Sequence, residues 1–297
     1  DIDALDISLT VSGMLDAHPV PLLQTMRKTV VDGSNTSGFQ RTTLVATSGV
    51  LETESGPVGI DVLCLEEDSA RKLTSELTSN GEVVTWNLDR LGIPLIEIAT
   101  APDIKTPDHA KQTSIALGRT LRDTRRVKRG LGSIRQDLNV SIMCGDRVEI
   151  KGCQDLEWIP KIIRCEMARQ LHFYRLANRL RELHDLPILP NDRRKESASV
   201  QDDVAKILHL NLVDVSSHFA ECGSKRVKEG LDGNSVMLAL PLPGFSGMIG
   251  TKEFDSDGAQ LPRLGRELAG AAKLAGVAGV YHSDELPAYG IEQEFVD

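Results

Sequence analysis

No two of the five cysteines (Cys64, Cys144, Cys153, Cys165 and Cys222) stand as C-x-x-C, so neither a zinc ribbon nor a disulfide framework is indicated. Apolar neighbours around Cys64 and Cys144 predict small core residues in a reducing compartment. No apolar run approaches the ~20 residues that a membrane-spanning helix needs, and no basic-then-apolar signal segment opens the chain. Neither G-x-x-x-x-G-K-[ST] nor G-x-G-x-x-G occurs, which removes the P-loop and Rossmann routes to a nucleotide. The absence of G-x-S-x-G and H-E-x-x-H removes the esterase-type hydrolases and the zincins. The 7 histidines fall at no metal-ligand spacing and read as surface or core residues. No internal repeat or low-complexity tract is visible.

What is present is ordinary in bulk and unusual in one place. The 297 residues leave room for two domains and a substantial core. Hydrophobic and charged residues, 40% and 26% of the chain, match a soluble globular protein. A net charge of −9 argues against a general nucleic-acid binder, although phosphate affinity depends on local clustering. The clearest basic cluster is Arg119, Arg122, Arg125, Arg126, Lys128 and Arg129, opposed only by Asp123. It fits either a solvated helix face or a contact to a phosphate backbone. A second basic cluster lies between Lys161 and Lys195. The chain starts "DIDALDISLT" and ends "EQEFVD", and reads as a fragment of a longer protein.

Periodicity predicts a helix over 4–16, a strand over 23–31, and a Gly/Ser/Asn-rich loop "DGSNTSGFQ". "RTTLVAT" and "VGIDVLCL" read as strands separated by a turn around Gly49 to Gly56. "EEDSARKL" reads as the opening of a short helix, because acids suit a helix's first turn. "VVTWNL" and "IPLIEIAT" are further strands. "TPDHAKQTSIALGRTLR" is a helix with Thr106 as N-cap and Pro107 in the first helical position. A long helix over 156–183 follows from apolar spacing through Ile162, Ile163, Met167, Leu171, Leu176 and Leu180. "HDLPILPNDRRKES" suits a linker. Beyond it, "VMLALPLPGFSGMIG" reads as a strand entering a glycine-rich bend, and "LGRELAGAAKLAGVAGVYHSDEL" as a helix followed by a strand.

The unusual place is Gly132 to Gly152. In "GSIRQDLNVSI" the residues Ser133, Arg135, Asp137, Asn139 and Ser141 alternate with apolar ones, and in "RVEIKG" so do Arg147, Glu149 and Lys151. Such alternation predicts a hairpin with one buried and one open face. Both apolar faces carry even numbers, so opposed residues need an even sum. A three-residue loop, Cys144 to Asp146, satisfies this and sets Ser141 opposite Glu149 and Asn139 opposite Lys151. The open face then gathers acids able to hold a hard cation beside bases able to meet phosphate oxygens. It reads equally as a solvated sheet face laced with ion pairs. Glu97, amid Leu95, Ile96, Ile98 and Ala99, is expected to be a buried carboxylate in need of a partner or a metal.

"VVTWNLDRLGIPLIEIATAPDI", "GSIRQDLNVSI" and "VEIKGCQDLEWIPKIIRCEMARQ", taken in order, resemble the family of B and E subunits of tRNA-dependent amidotransferases. That family carries N-R-x-G-x-P-L-x-E-I, then G-S-[LI]-R-x-D-x-N-[VI]-S, then E-[IL]-K. Here Arg90 and Glu97 fill the first motif and Glu149 the last. "MRKTVVDGSNTSGFQRT" looks like the archaeal E branch. The stretches from "LPGFSGMIG" to "DELPAYGI" resemble the small domain inserted in that branch and in bacterial-type aspartyl-tRNA synthetases. The resemblance covers nearly the whole chain.

It implies an α+β fold, with a glutamine-synthetase-like antiparallel-sheet cradle domain over 1–198 and an inserted α+β (GAD) domain over 199–297. It also implies a ligase, active in the cytoplasm, whose first cradle segment and carboxyl-terminal domains lie outside this chain, so that the chain alone is inactive. The implied reaction has ATP phosphorylate the γ-carboxylate of glutamate misattached to tRNA(Gln), and ammonia from an asparaginase-like amidase partner, the D subunit, displace the phosphate, within an expected heterotetramer of two D and two E subunits. Mg2+ is the implied metal, with Glu149 as ligand by its motif position and Asp137 and Glu97 as ligand or outer shell. Arg135 and Lys151 are expected on phosphate, Ser133 and Asn139 as orienting groups, and the Arg119–Arg129 cluster on the tRNA backbone. A synthetase and a non-catalytic tRNA-binding scaffold are the competing readings. The first would need class II motifs, which the first half does not show.

Overall fold

The computed structural model describes residues 1–79, 81–130, 132–197, 200, 203, 211–254, 256, 258 and 260–297. The chain divides into two compact units, one of Asp1–Asp137 with Lys151–Ile162, the other of Leu138–Ile150 with Ile163–Asp297. The domain boundary expected at 198/199 falls outside the described residues. Among those residues, no helix is long and apolar enough to cross a membrane.

The first unit is built on a five-stranded antiparallel sheet. β1 (His18–Pro19) and β2 (Thr25–Thr29) both pair with β3 (Phe39–Leu51), which pairs with β4 (Val58–Glu67). β5 (Arg71–Thr78) and β6 (Gly81–Asn87) form a separate hairpin, and β7 (Pro94–Thr100) returns beside β4. One face of the main sheet is covered by α1 (Ile2–Met14) and α2 (Pro107–Asp123). Val11 and Leu15 meet Val45, Ala46, Ile60 and Leu63 there, all at most 1% exposed. Small residues let α1 approach closely: Ala4, Ser8 and Ser12 form its buried stripe, and both serine hydroxyls are spent on backbone carbonyls, of Ala4 and Ala17. α2 begins as the sequence predicts. The Thr106 side chain accepts a hydrogen bond from the His109 N–H, with proline at the start of the helix.

Two expectations fail in this unit. β3 runs through Gly49 to Leu51, so the turn is later and shorter than expected. "EEDSARKL" is not helical: Glu66 and Glu67 close β4, and Arg71 opens β5. The acids look like a helix start, but the backbone there is claimed by partners far along the chain. Asp68 N–H donates to Ile93 O, and Asp68 O accepts from Gly92 N–H.

The second unit holds the short hairpin of β8 (Leu138–Val140) and β9 (Val148–Ile150), most of α3 (Ile159–Leu183), the β10–β11 pair (Val213–Asp214 with Leu238–Ala239), and the helices Lys225–Asp232 and Leu264–Leu274. A small core joins Cys222, Val227 and Ile291. Among the described residues the strand expected after Leu274 is absent. Val277 and Val280 are 44% and 40% exposed in an irregular segment, and the carbonyl of Ala278 accepts from Arg226. Of the cysteines, Cys64, Cys153 and Cys222 are buried, whereas Cys144, expected in the core, is half-buried and Cys165 is exposed.

Candidate active site

The face of the main sheet opposite α1 and α2 carries the charge. On β4, Leu63 and Leu65 pack towards the helices, so Cys64 and Glu66 point the other way. Registry continues the stripe across four strands. Thr42 on β3 is directly opposed to Glu66, Met26 on β2 is opposed to Thr42 with Lys28 diagonal to it, and Glu97 on β7 is opposed to Cys64 and diagonal to Glu66. The result is a row Lys28–Thr42–Glu66–Glu97. Lys28 Nζ is ion-paired with Glu66 Oε1, and the Thr42 hydroxyl donates to the same oxygen at 2.7 Å. The Glu66 side chain is 10% exposed, and that of Lys28 49%.

Glu97 is therefore neither lone nor enclosed, which corrects the sequence reading: it stands exposed on the open face, hydrogen-bonded to Glu66. Partial burial pushes its carboxyl above the ordinary value, and Glu66 and the charge of Asp137 push the same way. Burial also raises Glu66, but hydrogen bonds from Lys28, Thr42 and Glu97 outweigh it and leave that carboxyl below its ordinary value. Of the two acids, Glu97 is thus the one that holds a proton more readily and Glu66 the one that stays ionised more readily.

Beside this row, Asp68 is 8% exposed and gathers cations. Arg135 Nη2 lies 3.2 Å from its carboxylate and Arg90 Nε 3.8 Å away, while Asp68 Oδ1 caps the Ser69 N–H. Lys151 Nζ donates to Asp137 Oδ2 at 3.1 Å. Ser133 closes a local turn, its hydroxyl donating to Gly130 O at 2.8 Å.

In the second unit the β8–β9 hairpin keeps the parity argued from the sequence and loses the register. Leu138 faces Ile150, Asn139 faces Glu149 and Val140 faces Val148. Asn139, not Ser141, is thus opposite Glu149. The ladder ends at Val140, and Ser141–Arg147 forms a connection longer than the three residues expected, because Ile142 gives its N–H to the side chain of Gln170. The residues from Gly132 to Asp137, expected in the strand, precede it. Leu138 and Val140 are buried, whereas Asn139 and Glu149 are exposed, as expected.

The six cations of the basic cluster, Arg119 to Arg129, are all at least partly exposed at the end of α2 and just beyond it. Among the described residues only Arg126 of these makes an ion pair, with Asp6. No group of three or more His, Cys, Asp and Glu side chains among the described residues is arranged to hold a metal ion by itself. Lys28, Thr42, Glu66 and Asp68 escaped the sequence reading. The helix assignment hid the acids, and nothing local marks Lys28, whose partner lies 38 residues away.

The sequence of this chain has counterparts among known proteins. The model of the GatB/GatE catalytic domain matches residues 1–258, and the chain belongs to that family. It is 46% identical over 296 residues to the E subunit of the glutamyl-tRNA(Gln) amidotransferase of Methanocaldococcus jannaschii, covering 99% of this chain and 42% of the relative. The same subunit of Pyrococcus furiosus is 45% identical over 297 residues, covering 100% of this chain and 43% of the relative. For Sulfurisphaera tokodaii the identity is 43% over 298 residues, covering 100% and 44%. The chain thus spans less than half the length of these curated relatives.

Proposed function

We propose that this chain is the carboxyl-activating part of a glutamyl-tRNA(Gln) amidotransferase acting in the cytoplasm. ATP phosphorylates the γ-carboxylate of tRNA-bound glutamate, and ammonia from the partner amidase, the D subunit, then converts it to the amide. In the first step a carboxylate oxygen attacks the γ-phosphorus and ADP leaves. In the second, ammonia attacks the acyl carbon, phosphate departs, and a proton is lost from nitrogen. The observation that carries this reading is the Lys28–Thr42–Glu66–Glu97 row, with Asp137 and Lys151 beside it. Bringing a carboxylate to a triphosphate sets like charges together, so such a site works by positioning and by neutralising charge.

Arg135 and Lys151 are assigned to phosphate oxygens. Both are more than a third exposed and held by carboxylates, so a phosphate group can exchange with Asp68 or Asp137. Asn139 and Ser133 orient ligand groups, and the Arg119–Arg129 cluster meets the tRNA backbone. Glu149 is assigned as a Mg2+ ligand by its motif position, and Asp137, with Glu97 as a further candidate, is assigned as a ligand on the sheet face of the first unit. The donor chemistry fits, since all three supply hard carboxylate oxygens. When bound, the ion neutralises triphosphate charge.

The test is Glu149→Gln in the full-length chain assembled with its amidase partner. ATP-dependent formation of glutaminyl-tRNA is expected to be abolished while the melting temperature stays at the wild-type value. Full retention of activity refutes the assignment.

A further inference from the structure

We infer that Gln170 is a positioning residue that fixes the geometry of the Asn139/Glu149 face, bonding to the β8 edge as a residue of a neighbouring strand would. The inference rests on the role of Glu149 proposed above. Among the described residues β8 and β9, three residues each, pair only with one another. A two-stranded ribbon of that size is marginal in water. Along an antiparallel strand, residues two apart aim their peptide groups at the same edge. On β8 and its continuation these are Val140 and Ile142, and the Gln170 amide meets both. Its Nε2 donates to Val140 O at 3.1 Å, and its Oε1 accepts from Ile142 N–H at 3.1 Å. The side chain supplies one donor and one acceptor, as a strand residue would.

Three further features show that the amide is held in this orientation. Gln170 is 7% exposed, so its bonds are made away from water. Its second N–H donates to Glu166 Oε1 at 2.9 Å, and a carboxylate only accepts, so nitrogen must face Glu166 and oxygen must face Ile142. Glu166 is itself 8% exposed and clamped by Arg169, with Nε to Oε2 at 2.8 Å and Nη2 to Oε1 at 3.3 Å. The hairpin loop is shaped to admit the amide: a Cβ at Gly145 would collide with Gln170 Oε1. An open cavity of about 250 Å³ beside Gly145 and Gln170 leaves the loop room to move once these bonds are lost. Arg193, which donates to Met143 O and pairs with Asp146, tethers the loop further on and does not reach the β8 edge.

The experiment uses the full-length chain assembled with its amidase partner and compares wild type, Gln170→Leu, Gly145→Ala and Glu149→Gln. It reads the KM for Mg·ATP, kcat, melting temperature and the hydrogen-exchange rate of the Ile142 amide. Loss of an outer-shell support typically costs about 10- to 100-fold, so Gln170→Leu should raise KM or lower kcat by that factor and speed Ile142 exchange. Gly145→Ala deletes no hydrogen-bonding group but pushes the amide off the β8 edge, and should reproduce both effects if Gln170→Leu fails to fold. A lowered melting temperature with unchanged KM and kcat in the folded variants overturns the inference, as does unchanged Ile142 exchange. Should Glu149→Gln retain full activity, the functional reading fails, and Ile142 exchange alone then decides whether Gln170 holds the hairpin.

Discussion

The opposed shifts of Glu66 and Glu97 make this pair on the open face sensitive to pH. Glu97 binds its proton more tightly in the folded chain than its ordinary value of 4.5 allows. Its contribution to stability is present below that value and is lost as pH rises through the raised one. Glu66, held low, contributes with the opposite sign: stability present above 4.5 and lost as pH falls through its lowered value. Glu97→Gln keeps a donor for Glu66 and removes the charge. Denaturant unfolding measured upwards from pH 4.5 should therefore fall less steeply for the variant than for the wild type. Parallel curves would show that folding does not tighten proton binding at Glu97. Asp68 gives a second test at this scale. Replacing it with alanine strands Arg135 and uncaps the Ser69 N–H, and should cost about 1–2 kcal/mol by the net worth of such bonds. An unfolding free energy unchanged from wild type would contradict its anchoring role.

Among the elements, those whose signals are local were legible in advance. α2 follows from Thr106, Pro107 and a helical apolar period, and Thr106→Ala should cost about 1 kcal/mol of stability; a midpoint shift within error would count against the cap. Parity was legible in the β8–β9 hairpin because side chains alternate with period two whatever the loop does. Register was not, because the ladder stops short of Ile142, whose N–H goes instead to Gln170, 28 residues away with nothing in its neighbourhood to mark it. The same limit explains β5. Acids at 66–68 satisfy the local rule for a helix start, but Ile93 and Gly92 claim the backbone of Asp68 across the fold. The candidate site was half-visible for a like reason. Glu97, Arg135 and Asp137 lie in stretches whose pattern marks them, whereas Lys28 and Thr42 acquire meaning only once strand order is known.

At the scale of the whole molecule, a net charge of −9 coexists with the six clustered cations between Arg119 and Arg129. Total charge sets general affinity for polyanions, and clustering sets local affinity. Neutralising Arg119, Arg122 and Arg129 in the full-length protein should weaken binding of tRNA(Gln) and lower its log K against log salt slope by roughly 2–3. An unchanged slope would make the cluster an ordinary solvated surface. The central claim concerns the open sheet face and is tested most directly by titration calorimetry of Mg·ATP into the full-length protein, wild type against a Glu66→Gln, Glu97→Gln double variant. The account predicts saturable binding by the wild type and a large loss of affinity in the variant. Binding that is equal in the two proteins, or missing from the wild type, would contradict it.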